Sequence, residues 1–382
     1  MFEEKFKFIF ENITNGDLSN VSSSDVLELE LQISKEEDFE KFIFIKSILN
    51  LIFFRDKEEY VHALRETIMF VNKFSFKIDF FIENLTNISL RLSNSNISKI
   101  LNLNNEDNSR FSYFINSNFC KLILEENQYV LTRFVNYHFE NNRIVFNDMS
   151  HRFHESINVL NERVLNIKSE TYQIKNNSGL EDVRLFFDKD EKKINFLATS
   201  IMFNDANKNE MILGELLEKE NILNVKKIFR SPFDKNEKNW IILDENKNIL
   251  YDFYPFTTFD FDLCSKREIK NLPKIFQLLR ASSNAIEING FRYILAHSLN
   301  TSENYKKPMN RSYSHWLIIL NTQNEPIAYS IPFSFEGENI EYCLSMNYLK
   351  NGNLEFCYSV WDNSSKYLEI PLSYFNDKFL TI

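Results

Sequence analysis

The chain has 382 residues, among them 38 Phe and 16 Tyr but only six Gly, and carries a formal net charge of −10 at pH 7. That length holds two domains, or one large all-β body with an appendage, and the aromatic content supplies ample core. An acidic balance with no offsetting basic patch argues against nucleic acid as the main partner.

The start, Met1-Phe-Glu-Glu-Lys, lacks the basic and apolar regions of a signal peptide. The longest mostly apolar stretch, residues 42–54, is interrupted by Lys46 and is too short to span a bilayer. Cys120, Cys264, Cys343 and Cys357 form no C-x-x-C pair and read as reduced thiols. A soluble, cytoplasmic protein is the expectation.

Residues 36–74 place Phe39, Phe42, Ile43, Leu49, Ile52 and then Tyr60, Leu64 and Ile68 at helical spacing, with Asp56-Lys-Glu-Glu as a break and cap. Further helices are expected over residues 78–92 and 97–103. Residues 1–110 therefore read as a small all-α domain, its apolar stripes serving as core. After Asn104-Asn-Glu-Asp-Asn-Ser the pattern changes to short alternating or fully apolar runs. Tyr129-Val-Leu-Thr-Arg-Phe-Val, Ile194-Asn-Phe-Leu-Ala-Thr, Trp240-Ile-Ile-Leu, Tyr293-Ile-Leu-Ala-His and Leu354-Glu-Phe-Cys-Tyr-Ser read as strands. Most follow a polar turn, such as Glu125-Glu-Asn-Gln, Asp188-Lys-Asp-Glu, Asn289-Gly or Lys350-Asn-Gly-Asn. Residues 212–220 read equally as a short helix or a loop. The β body fills residues 111–382.

Within it, an acidic or Asn-bearing turn followed by a hydrophobic strand recurs five times, at residues 118–137, 181–199, 237–254, 283–298 and 341–362. Copies begin roughly fifty residues apart, the length of one four-stranded propeller blade. A propeller gathers its inner strands around an axis, so the five turns are expected to converge there.

Glu181-Asp-Val-Arg is the strongest chemical candidate. A carboxyl facing down a closed axial pocket loses water, which favours its protonated form and suits it to proton transfer. Arg184, two residues beyond Asp182, is expected on the same side of the strand, where it would bind a carboxylate or phosphate. An ion pair at the strand edge is the plain alternative. Trp240 is expected in the core because Ile241 and Ile242 follow it. His138, His151 and His154 lack the Cys or carboxylate spacing that would complete a tetrahedral metal set, and no G-x-S-x-G, P-loop or G-x-G-x-x-G is present. No metal or cofactor is expected.

Taken in order, Asn118 with residues 129–136, Glu181-Asp-Val-Arg-Leu, Glu237-Lys-Asn-Trp, Ser282-Ser-Asn with Tyr293-Ile-Leu-Ala-His-Ser, and Tyr358-Ser-Val-Trp-Asp resemble the blades of a known family. These are the five-bladed β-propellers of the β-mannoside phosphorylases and related mannosyltransferases, and the resemblance covers roughly residues 113–382. It implies a mainly β fold, a five-bladed propeller behind the α-helical N-terminal domain. It also implies Asp182 as general acid, with Glu181 and Arg184 beside it. Lys238 and Asn239 match the position from which the family presents a cation and an amide to phosphate or sugar hydroxyls. His297 matches a strand-end His, Tyr313 and His315 an element that reaches the sugar, and Asp362 a late carboxylate that binds sugar hydroxyls. A buried structural His and an ordinary turn Asp remain alternatives for His297 and Asp362. The family pattern is kept in part, since Arg133 is the one further arginine at hand for a phosphate.

That departure favours a glycosyltransferase using a nucleotide sugar or sugar phosphate as donor and a carbohydrate as acceptor. A β-glycoside phosphorylase or hydrolase is the second reading, and a non-catalytic carbohydrate-binding module the third. Asn118 reads as mainly structural.

Overall fold

The computed structural model describes residues 60–73, 89–92, 99–100, 114–140, 143–148, 154–206, 208–229, 236–301 and 311–382. The fold is mainly β and propeller-like, built from five successive sheets of four strands or more. The first sheet runs through Ile115–Leu124, Asn127–Val135, Ser156–Leu160 and Arg163–Val164. The second comprises Glu181–Asp188, Lys193–Ser200, Glu210–Leu217 and Ile222–Phe229, with Asn166–Lys168 added in parallel at its edge. Ile241–Ile242, Ile249–Phe253, Phe256–Phe259 and Lys266–Ile269 form the third. The fourth is centred on Phe291–Thr301 and Arg311–Leu320, and the fifth on Glu341–Tyr348, Asn353–Val360 and Ser364–Pro371.

The polar turns expected from the sequence close these hairpins. Asn289 and Gly290 lie between Ile286–Ile288 and Phe291–Thr301 with φ of +52° and +80°, the left-handed pair that a two-residue hairpin requires. The repeated segments begin at or near the first strand of each sheet. A cavity of about 220 Å³ at one end of the axis is lined by residues 120–122, 184–188, 242–245, 284–287 and 344–347, one stretch from each sheet. Three of its acidic groups are already paired: Asp188 with Lys247 of the lining, and Glu245 and Asp244 with Lys189 and Asn324 from outside it.

Residues 212–220 fall mostly in the strand Glu210–Leu217, neither helix nor loop. This strand lies between two others and is buried on both faces for most of its length, so it shows no alternation. Gly214 is required there, because a Cβ would come within 2.3 Å of the Phe196 ring and 2.4 Å of the Asn224 carbonyl.

Of the expected N-terminal helices, Tyr60–Lys73 is present. Tyr60, Ala63, Leu64, Thr67, Ile68 and Val71 form its buried stripe at i, i+3, i+4 spacing. That stripe packs into the core between the third and fourth sheets, against Phe253, Phe256, Phe276 and Trp316 among others. Asn72 ties the helix to the β body: its Oδ1 accepts the Ile275 amide at 3.0 Å and its Nδ2 donates to the Tyr329 hydroxyl at 2.7 Å. Residues 90–91 and 99–100, where helices were expected, are strands. Leu90–Arg91 pairs in parallel with Phe333–Ser334, and Lys99–Ile100 pairs with the outer strand of the fifth sheet. A sheet edge offers unpaired backbone groups, a force that local periodicity does not contain. The other expected helical segments lie outside the described residues.

Candidate active site

At the end of the axis opposite the smaller cavity lies one of about 650 Å³. All five sheets reach it: Asn118 and Arg133 from the first, Glu181 and Asp182 from the second, and Lys238 and Asn239 leading into the third. Arg280, His297 and Tyr313 come from the fourth, and Tyr342 and Asp362 from the fifth. A hairpin formed by Tyr137–Glu140 and Arg143–Phe146 adds Tyr137 and Ile144.

Glu181 and Asp182 both face the cavity because the strand bulges there. Glu181 pairs with Thr199 and Arg184 with Leu197, so register slips between them, and Asp182 takes φ of +51°. Asn239 and Asp362 take φ of +64° and +51°. Asp and Asn adopt this left-handed region more readily than bulkier residues, which suits them to turns that aim a side chain at the axis.

Asp182 Oδ1 accepts from Asn118 Nδ2 at 3.1 Å, and Oδ2 lies 3.5 Å from the Tyr342 hydroxyl. Glu181 is held between Arg133 Nη2, at 3.2 Å, and Lys238 Nζ, at 3.4 Å. Burial alone would raise its pKa, but the Arg133 and Lys238 charges outweigh burial and hold it below the usual carboxylate range. Burial likewise disfavours the Arg133 charge, yet Glu181, Tyr137, Asp182 and Asp362 around it hold that charge more firmly than usual. Arg280 Nη1 bonds the Leu279 carbonyl at 2.8 Å, and among the described residues no carboxylate pairs with it.

His297 is buried, and its Nδ1 is 2.8 Å from Ser282 Oγ. Burial, followed by the neighbouring His315, Arg184 and Arg280, drives its pKa well below the usual range and keeps the ring neutral. The rings of His297, Tyr313 and Tyr342 touch mutually at centroid distances of 5.3 to 6.2 Å.

Eight expected site residues thus share this cavity: Asp182, Glu181, Arg133, Lys238, Asn239, His297, Tyr313 and Asp362. Arg184 and His315 do not line it. The bulge breaks the two-residue parity that would have placed Arg184 beside the Asp182 side chain. Arg184 instead lies beneath the cavity, 1% exposed, donating to the Ser282 carbonyl, the Asp182 carbonyl and the Tyr342 hydroxyl at 2.6, 2.9 and 2.8 Å. His315 is fully buried between Phe333 and Phe335, and burial lowers its pKa to about 3. Trp240 is core, packed on Phe229 and Tyr251, with its indole N–H on Glu237.

Sequence reasoning missed Asn118, Arg280 and Tyr342 as cavity residues. Asn118 and Tyr342 stand at or beside the start of a repeated segment, and that position was the available signal. Arg280 sits on a three-residue strand, Leu279–Ala281, whose partner lies across a hairpin, so nothing local marks it. Among the described residues no group of three His, Cys, Asp or Glu side chains gathers as a metal site requires. His154 packs on Tyr137 and Phe146, and His151 lies outside the described residues. No helix among the described residues is long and apolar enough to cross a membrane.

No protein-family model matches the chain, and no curated protein matches it in sequence. Solved structures do. The likeness is to their fold. A putative glycosidase from Bacteroides thetaiotaomicron is 12% identical, with a TM-score of 0.48, over 67% of this chain and 86% of that one. A mannose phosphorylase from Leishmania mexicana, solved with a phosphate ion, is 10% identical, with a TM-score of 0.43, over 71% and 88%. A GDP-Man-dependent mannosyltransferase from the same organism is 11% identical, with a TM-score of 0.43, over 72% and 91%.

Proposed function

We propose that this chain is a carbohydrate-active enzyme that transfers a sugar from a phosphate-bearing donor to a glycan hydroxyl within the larger axial cavity. One observation carries the reading: the carboxyl of Asp182 and three cations, Arg133, Lys238 and Arg280, open into the same cavity. A reaction that exchanges a glycan oxygen for a phosphate oxygen at a sugar carbon needs both. As the acceptor oxygen attacks the anomeric carbon, Asp182 takes the hydroxyl proton. The bond to the phosphate oxygen breaks with its electron pair, and the cations meet the charge that develops on the departing phosphate. Neutral His297, with Tyr313 and Asp362, supplies hydrogen bonds to sugar hydroxyls.

Phosphorolysis is the same exchange run backwards, with inorganic phosphate attacking and Asp182 returning the proton to the glycan oxygen. Arg280 favours keeping this reading beside transfer, because it supplies the second arginine that sequence inspection did not find. Hydrolysis would use Asp362 as the second carboxylate.

The test uses the purified full chain. It is incubated with nucleotide sugars and glycan acceptors, then with β-linked oligosaccharides in the presence and absence of inorganic phosphate. Donor-dependent product that disappears in Asp182→Asn is the expected result. Sugar 1-phosphate formed only with phosphate moves the assignment to phosphorolysis. Sugar binding without turnover under any condition overturns the catalytic reading.

A further inference from the structure

Tyr342 opens the inner strand of the fifth sheet and sits where three other sheets meet. Its oxygen accepts from Arg184 Nη2 at 2.8 Å. A guanidinium can only donate, so this contact occupies a lone pair and directs the phenolic proton elsewhere. Two acceptors lie within reach, Asn239 Oδ1 at 3.3 Å and Asp182 Oδ2 at 3.5 Å. One proton serves one of them at a time. The ring is 9% exposed and wedged against His297 and Tyr313, so the oxygen stays between its two acceptors. Burial above all opposes ionisation of the phenol, which therefore remains an O–H donor.

We propose that Tyr342 is a positioning residue whose single proton follows the protonation state of Asp182. It points to Asp182 Oδ2 when that carboxyl is ionised and to Asn239 Oδ1 when the carboxyl holds a proton. The inference rests on Asp182 as the proton-handling group of the proposed reaction. It adds a mechanism by which one carboxyl has a matched partner in both of its states without movement of the backbone. Asn118 serves the other oxygen, Oδ1, throughout. The same cavity also presents Arg133 and Tyr137 beyond the first sheet's inner strand, Glu181 beside Asp182, and Lys238 before the third sheet. Arg280, His297, Tyr313 and Asp362 complete the charged or titratable groups lining the cavity, with Arg184 beneath it.

Two substitutions are expected to act in opposite directions. Tyr342→Phe removes the donor to ionised Asp182, so the acidic limb of the pH–rate profile moves to higher pH and kcat falls about tenfold. Asn239→Gly removes the competing acceptor while tolerating the φ of +64°; the phenol then stays on Asp182 and the limb moves to lower pH. A purely structural defect lowers rates without separating the limbs. Carbon-13 NMR of labelled Asp carboxyls in the intact chain, with Asp182→Asn identifying the resonance, reads the same opposed shifts without requiring turnover. Opposed shifts with no turnover leave this inference standing and remove the proposed reaction. Turnover that depends on Asp182, with midpoints that do not move or that move together, overturns the inference and leaves the reaction. Should Tyr342→Phe fail to fold, the downward shift in Asn239→Gly is the deciding result, and its absence overturns the proposal.

Discussion

Arg184 Nη1 donates to the backbone carbonyl of Asp182 at 2.9 Å, so the residue that faces the cavity is held by a side chain that faces away from it. The same guanidinium reaches Ser282 of the fourth sheet and Tyr342 of the fifth. A single buried cation therefore ties three sheets together directly under the proposed acid.

Replacing Arg184 is expected to cost stability before it costs chemistry. Arg184→Ala leaves two carbonyls and a phenol without their buried donor, a loss of roughly 3 kcal/mol or more. Urea denaturation measures it. Arg184→Lys is expected to recover little, since one ammonium on a flexible stem does not reproduce a fork aimed at three acceptors.

Arg280→Ala is expected to do the reverse. The side chain is exposed and bonds only its neighbour's carbonyl among the described residues, so stability should change by about 0.5 kcal/mol or less. For a phosphate-bearing donor KM should rise about tenfold, the worth of one charge-assisted bond. Steady-state kinetics at two ionic strengths checks this, the difference from wild type shrinking at high salt.

Glu341 gives a pH signature. It is fully buried and accepts the amides of Phe335, Glu336 and Glu338 at 2.6, 2.8 and 2.8 Å. Burial outweighs those bonds and raises its pKa from 4.5 to about 7. The native state then holds the proton more tightly than the unfolded chain. Its contribution is complete below pH 4.5 and is lost as pH rises through about 7. Subtracting the stability–pH curve of Glu341→Gln from that of wild type should expose this falling slope.

His315 should act with the opposite sign. Its pKa is lowered from 6.5 to about 3, so its contribution is complete above 6.5 and lost as pH falls towards 3. His315→Phe, which keeps a ring against Phe333 and Phe335, should lose stability less steeply on acidification. Thermal denaturation between pH 4 and 7 gives the comparison.

The helix Tyr60–Lys73 should unfold with the β body. Leu64 is fully buried in the core shared with the third and fourth sheets, and Leu64→Ala should cost about 2–5 kcal/mol. One cooperative transition shifted as a whole is the expected result. A separate early transition would show that the helix is an independent unit.

Much of the inner architecture was legible in the chain. Polar turns of known type, separated by apolar runs of strand length, placed the hairpins at Glu125, Asp188, Asn289 and Lys350. The recurrence of those units gave the propeller. Turn chemistry and period-two burial are local, so the sequence records them. The edge pairings of Leu90–Arg91 and Lys99–Ile100 were not legible, because their cause lies in strands more than two hundred residues away.

The candidate site divides along the same line. The repeated units and the family they resemble together gathered Asp182, Glu181, Arg133, Lys238, Asn239, His297, Tyr313 and Asp362 into one expected pocket. The sequence could not show that a one-residue bulge after Glu181 turns Asp182 towards the axis and Arg184 away from it. Nor could it show that Tyr342 bonds Arg184 or that Arg280 opens into the cavity. Those relationships join different sheets. Strand periodicity fixes which way a side chain points only while register holds, and register is set by the partner strand.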